Sequence, residues 1–521
     1  MAPGKTEKSS TSKLAQKSRD RADEVANIFE WLITAFILAF VFRAFIMEAF
    51  RIPTGSMADT LEGAHFRLRC PQCGYEYDHG FIPGHYYNQS GRRLAEDTVP
   101  AGTVPLPSTR CPSCGNYTPD GRAASVANGD RILVLKCIYQ FLEPKRWDVV
   151  VFKNPPEPTI NYIKRLIALP NEEVQIIDGD IYINGLISRK PTKVQQEQWM
   201  VVYNNDYQPV NPFNPTFNGH QWEQPFRPEG SSKWEADKLS PTQFHLDSPI
   251  DQINTMKYDT SIGNDFRATY AYDDVRSYKN LPYCSDLMVR FNCFSTEPEG
   301  CIGISLSKYE TTYRAQIILS PGTITITKQK KGQQPVELVA VPIKKPRPNM
   351  QTLIKFANVD HQLILEFNGS KWKYDMGRYP QDVGPITEDI EPEVEIFGSG
   401  KLMLSHVAIF RDIYYTSLMY ANSTEFGRAT HTPFVLGKDE FFVLGDNSPN
   451  SEDCRWWTEP GKANKGLPPY RVGIVPRNYL VGKALFVYWP SGFKPFSGFP
   501  FGIIPNIGML RFIYGGSNHN N

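Results

Sequence analysis

Between Val25 and Phe42 the chain reads VANIFEWLITAFILAFVF, a run whose only charge is Glu30. Eighteen residues at a rise of about 1.5 Å cover ~27 Å, close to the hydrocarbon thickness of a bilayer. The run is therefore expected to form one transmembrane helix, 25–42. Residues 1–24 are polar and read as a disordered tail, with Lys5, Lys8, Lys13, Lys17, Arg19 and Arg21 before the span. The positive-inside rule puts this tail in the cytoplasm and everything after Phe50 across the membrane, giving a single-pass protein of the cell (inner) membrane. A cleaved signal peptide fits poorly, since no small-x-small site precedes RAFIMEAFRIP. A buried amphipathic helix is the remaining competitor, because Glu30 is costly in lipid and Arg43 follows closely.

Composition narrows what lies beyond the anchor. Lys+Arg is 56 and Asp+Glu 55, a net charge of +1, so no bulk field favours nucleic acid. One apolar run and a mean hydropathy of −0.39 exclude a multi-span transporter. The 42 prolines, with many Tyr, Phe and Thr, suggest loop-rich β structure, and nine cysteines in 521 residues exclude a disulfide scaffold.

Three segments carry chemistry. In FRIPTGSMADTL, Phe50 to Leu61, Pro53 and Gly55 keep the backbone from continuing as helix, so Ser56 sits on a sharp, exposed turn. RWDVVVFKNP and NYIKRLIALPNEEVQIIDGDIYINGL read as strands, with Asp178-Gly179 and Asn184-Gly185 as hairpin turns. Lys164 stands in an apolar strand; buried and neutral, it can take a proton from a serine, whereas on the strand's polar face it simply meets solvent. In FFVLGDNSPNSEDCRWW a strand runs into a Gly-Asp-Asn turn and a polar cluster of Ser451, Asp453 and Arg455.

In this order after one anchor, these segments and the closing GKALFVYWP resemble type I signal peptidases, membrane-bound serine proteases of the Ser-Lys class. The resemblance implies Ser56 as nucleophile, Lys164 as general base, and an oxyanion held by the Ser56 N–H and the Thr54 hydroxyl. Ser451 matches the serine that orients the lysine. Asp446, Asp453 and Arg455, with Arg165, match ion pairs tying the last loop to the catalytic strand. Phe50, Ile52, Met57, Leu61, Tyr162 and Ile163 fall where that family lines shallow apolar pockets, although each also suits a core. The implied partners are preprotein signal peptides, the bilayer and the export machinery, with no cofactor for catalysis. Asp59 stands where the motif normally carries proline, and Cys454 where a small residue such as serine is common.

Two stretches lie outside the resemblance. Cys70, Cys73, Cys111 and Cys114 form two C-P-x-C-G knuckles, the arrangement that builds a zinc ribbon; a structural zinc is expected, with disulfides or free thiols as rivals. Residues 188–434 carry many short alternating strands, the rhythm of a concanavalin/laminin-G-like sandwich. The expected architecture is mostly β. A signal-peptidase-type core (43–187 and 435–521) follows one transmembrane helix and is interrupted by a zinc-ribbon-like insertion (66–118) and a β-sandwich (jelly-roll) insertion (188–434). The expected function is signal-peptide cleavage at the membrane surface by an endopeptidase. The rival is a catalytically idle anchored protein whose sandwich is the binding part.

Overall fold

The computed structural model describes residues 8–88, 90–95, 98–100, 102–211, 221–237, 241–275, 281–387, 390–418, 425–490 and 506–516. The molecule is mostly β, with one long apolar helix. Helix α1 spans Lys8–Val41 and passes into a π turn, Phe42–Ile46. Helix thus begins inside the stretch expected to be a disordered tail, where Ala, Gln, Lys, Arg and Glu are all good helix formers. The part long and apolar enough to cross a membrane is Ala26–Ile46, four residues longer at its C-terminal end than expected. None of it is buried: Trp31 is 77% and Phe36 72% exposed.

Beyond the helix an antiparallel sheet is assembled from distant parts of the chain. Its strands are β1 (Met47–Arg51), β2 (Arg131–Leu135), β3 (Val149–Lys153), β4 (Asn161–Ala168), β5 (Glu440–Leu444) and β6 (Leu480–Trp489), in the spatial order β1-β2-β6-β3-β4-β5. The Val-rich β3 has no polar face. Val149 and Val151 enter one core with Ile52, Met57, Leu61 and Ile132, while Val150 and Phe152 enter a second with Leu166, Phe442 and Val443. Side-chain alternation thus makes β3 the wall between two cores. Both hairpin turns form as read: Asp178 and Gly179 have φ of 49° and 80°, Asn184 and Gly185 51° and 78°, the left-handed pair a type I′ turn needs.

The cysteine knuckles hang from a four-stranded sheet of His65–Arg69, Glu76–Gly80, Thr103–Pro105 and Ala123–Ala127. Its pairing runs on to Ala127, past the expected boundary at 118. Residues 200–411 hold two larger sheets. Lys401–Arg411 and Leu287–Ser295 are central in one, Val394–Ser399 and Cys301–Lys308 in the other. Their inner faces share one core, including Phe244, Phe291, Ile304, Tyr313, Phe356 and Ile396, so the pair is a β-sandwich. Buried ion pairs fasten it to the hairpin after β4 and to the segment that follows that hairpin. Lys190 Nζ reaches Asp360 (2.6 Å) and Asp412 (2.7 Å), and Lys308 Nζ reaches Asp286 (2.5 Å) with Asp180 at 3.8 Å.

Candidate active site

The nucleophile candidate sits on a sharp turn as read, but Ser56 itself is buried and not exposed. Ala58 N–H donates to the Gly55 carbonyl (3.0 Å) and Leu61 N–H to the Met57 carbonyl (2.8 Å). Met57 and Leu61 are fully buried, so their burial points Ser56 toward β4. There Lys164 lies opposite Val150, and its Nζ stands 2.5 Å from Ser56 Oγ. The lysine is 5% exposed, with the Tyr162 ring centroid 5.8 Å from Nζ. Desolvation holds its pKa down at about 8, against the opposing pull of Asp453 and Glu452. The Thr54 hydroxyl stands on an exposed residue, and among the described residues neither it nor the Ser56 N–H has a hydrogen-bond partner.

Two arginine–carboxylate pairs frame this contact. Arg165, next to the lysine, makes a bidentate pair with Asp446 (Nε–Oδ1 2.8 Å, N–H–Oδ2 2.6 Å) and donates to the Trp147 carbonyl (2.9 Å). Thr60 donates to the same carboxylate (2.6 Å), as does Gln198 (3.2 Å). Asp446 therefore joins the nucleophile turn, β4 and the last loop. Arg455 grips Asp453 in the same bidentate manner (2.9 and 2.7 Å), but that pair is internal to the last loop. All four charged residues are buried. Removing one partner leaves the other charge buried without compensation. Asp446→Ala is accordingly expected to lose about 3–5 kcal/mol in urea denaturation.

Ser451 was expected to hydrogen-bond Lys164, and its one donated bond goes elsewhere. Its hydroxyl donates to Asp453 Oδ2 (2.8 Å), because that carboxylate is the strongest acceptor within reach. It stays close to the centre through Gly445, where an added Cβ would lie 2.2 Å from Ser451 Oγ and 2.4 Å from the Ser56 carbonyl oxygen. The second of these cannot retreat without moving the Ser56 backbone. Gly445→Ala should therefore cost about 1–3 kcal/mol of stability and about 100-fold in kcat/KM for a cleavable substrate, read by thermal melting and steady-state kinetics.

Of the expected pocket residues, Phe50, Tyr162 and Ile163 are partly exposed beside the dyad. Ile52, Met57 and Leu61 have 2% exposure or less and belong to the core behind it. Packing wins there because the turn has no other way to hide them. Asp59 opens into a cavity of about 250 Å³ bordered by Glu62, Asp78, Trp199 and Arg411. Surrounding protein and the nearby Asp78 carboxylate raise its pKa to about 6.

Cys70, Cys73, Cys111 and Cys114 are buried, and their sulfurs all lie within 4.8 Å of one another. Cys70 and Cys114 sulfurs are 3.7 Å apart, those of Cys73 and Cys111 3.6 Å. The two knuckles repeat the same bonds. Cys70 N–H donates to the Tyr75 carbonyl and Cys111 N–H to that of Asn116, while Gly74 and Gly115 turn back with φ of 75° and 77°. A tetrahedral ion with bonds of about 2.3 Å separates its sulfurs by about 3.8 Å. The four side chains therefore fit a zinc ion as they stand.

Thr60, Gln198, Gly445 and Asn447 were not singled out from sequence. Gly445 and Asn447 had a cue, the Gly-Asp-Asn turn after β5.

Comparison with known proteins finds similarity over part of the chain. The family model described as "Signal peptidase, peptidase S26" matches residues 118–224 and 409–489. Signal peptidase I of Rickettsia canadensis is 31% identical over 157 residues, and that of Rickettsia akari 32% over 157. Each alignment covers 30% of this chain and 42% of the relative, so the chain spans less than half the length of these proteins. The similarity to type I signal peptidases is thus shown for the segments carrying Lys164 and the last loop, while Ser56 lies outside the family-model match. Among solved structures, a carbohydrate-binding module of Bacillus subtilis aligns at TM-score 0.22 and 8% identity, over 34% of this chain and 91% of its own. A Caenorhabditis elegans galectin aligns at TM-score 0.19 and 12% identity, over 25% and 87%. Likenesses this low carry no argument about the sandwich.

Proposed function

We propose that this chain is a membrane-anchored endopeptidase that removes signal peptides from exported preproteins through a Ser56–Lys164 dyad. The observation that carries the reading is the buried 2.5 Å contact between Ser56 Oγ and Lys164 Nζ, made by residues 108 positions apart. Neutral Lys164 accepts the Ser56 hydroxyl proton as Oγ attacks the carbonyl carbon before the scissile bond. The resulting oxyanion accepts hydrogen bonds from the Ser56 N–H and the Thr54 hydroxyl. The Lys164 ammonium then returns its proton to the departing amine, the C–N bond breaks, and an acyl-Ser56 ester remains. Water, deprotonated by the same amine, hydrolyses that ester. Phe50, Tyr162 and Ile163 present partly exposed apolar side chains, which suits small residues before the cut.

In this reading α1 anchors the enzyme, with the N-terminus in the cytoplasm and the catalytic sheet on the far side. The short link from Ile46 to Ser56 keeps the nucleophile near the bilayer surface, where a signal peptide is held. Zinc held by the four cysteines would supply folding stability alone, since four sulfurs leave no open position. The test is incubation of the detergent-solubilised full chain with a preprotein carrying small residues at the cut. Cleavage at one bond, with the mature N-terminus found by mass spectrometry, supports the reading, and an intact preprotein overturns it.

A further inference from the structure

The residues nearest the dyad are not all from the segments that match the peptidase family. Part of the sandwich region, Phe266–Asp273, runs directly behind the nucleophile turn. Asn447 N–H donates to the Ser56 carbonyl (3.1 Å), and Asn447 Nδ2 donates to Asp273 Oδ1 (2.7 Å). Asn450 Nδ2 donates to the same oxygen (3.3 Å). Asn447 is fully buried and its own Oδ1 has no partner among the described residues, so Asp273 holds this side chain. One residue earlier, the Tyr272 ring lies flush against Gly55, where an added Cβ would come within 2.0 Å of it. The Tyr272 hydroxyl donates to the Ala64 carbonyl (3.0 Å), and its own carbonyl accepts from Gly80 N–H (2.8 Å). Tyr270 donates to the Asp446 carbonyl (2.8 Å). The segment is in turn held by Arg411, at the end of a central sandwich strand, which donates to the Thr269 carbonyl and stacks on Tyr270 (5.1 Å).

We propose that Phe266–Asp273 is a brace built by the inserted sandwich into the reaction centre, with Asp273 a positioning residue that sets Ser56 through Asn447. It touches the last loop at Asp446, Asn447 and Asn450, and the nucleophile turn at Gly55, so it fixes the distance between the two. The sandwich is then a working part of the catalytic unit. A side chain at Gly55 would collide with this inserted aromatic ring.

This inference rests on the protease reading of Ser56 and Lys164, and the test separates the two. In the full-length, lipid-embedded protein, Asp273→Ala should lower kcat about 10- to 100-fold while KM stays within about two-fold, because no substrate contact is removed. Asp273→Asn, which keeps an oxygen for Asn447 and Asn450, should recover most of that loss. Amide hydrogen exchange supplies a readout independent of turnover: residues 54–58 and 445–450 should exchange about ten-fold faster in Asp273→Ala, with Cys301–Ile318 unchanged. If Asp273→Ala does not fold, the same exchange difference, smaller in size, is sought in Asp273→Asn. Wild-type exchange at both segments overturns the brace, as does a loss of protection spread evenly through the sandwich. A wild-type protein that cleaves no preprotein defeats the protease reading, and the exchange result still decides the brace.

Discussion

Ser56→Ala and Lys164→Ala should each lower kcat/KM for preprotein cleavage by about 10⁴-fold or more, and the double variant should lose little beyond either single one. Residues that act as a unit are not additive, since removing the proton acceptor disables the nucleophile as fully as removing the nucleophile itself. Residual activity near wild type in either variant would sink the dyad. The pH dependence carries a second check. Burial holds the Lys164 pKa at about 8, and only the neutral amine accepts a proton. Cleavage should therefore be half-maximal near pH 8 and fall about ten-fold per unit below it.

Stability must move in the matching direction. The fold disfavours the ammonium, so its penalty is complete below pH 8, fades as pH rises toward the ordinary value of 10.5, and is absent above that. Lys164→Met removes this penalty. It should be inactive yet more stable than wild type by about 3 kcal/mol at pH 7, with the gain shrinking between pH 8 and 10.5 in urea titrations. A variant both inactive and less stable at pH 7 would mean that the lysine is not held neutral by burial.

The second large effect concerns the four cysteines. Purified protein should contain about one equivalent of zinc, and Cys70→Ser or Cys111→Ser should retain almost none. Structural zinc sites bind with apparent free energies of about 10 kcal/mol or more, so metal loss should unfold the 65–127 sheet outright. That sheet carries Gly80, which bonds the Tyr272 carbonyl, so activity should fall with it. Zinc at less than a tenth of an equivalent, with Cys70 and Cys73 oxidised by mass spectrometry, would reverse the assignment.

Much of this was legible in the sequence because it is local. The anchor shows as an apolar run, the hairpins as Asp-Gly and Asn-Gly, and the knuckles as paired C-P-x-C-G, each set by residues a few positions apart. The resemblance of three ordered segments supplied the roles of Ser56 and Lys164. Ile52, Met57 and Leu61 suited a pocket or a core in the sequence, which asks for the same apolar side chain in both, and the structure packs them in a core. Ser451 was expected beside Lys164, and the bond its hydroxyl donates goes to Asp453, a partner only the folded loop reveals.

By itself, then, the sequence determined one membrane-length helix, a β-rich remainder, two paired-cysteine knuckles and the candidates for nucleophile and base. Tertiary structure decided what those groups can do. It brought Ser56 and Lys164 within 2.5 Å across 108 residues and buried the lysine enough to lower its pKa. It also set Tyr272 and Asp273, which no motif marks, behind the nucleophile turn. Local pattern reports the preferences of neighbouring residues. A reaction centre depends on distances and desolvation between residues far apart in the chain, which exist only once the sheets have closed.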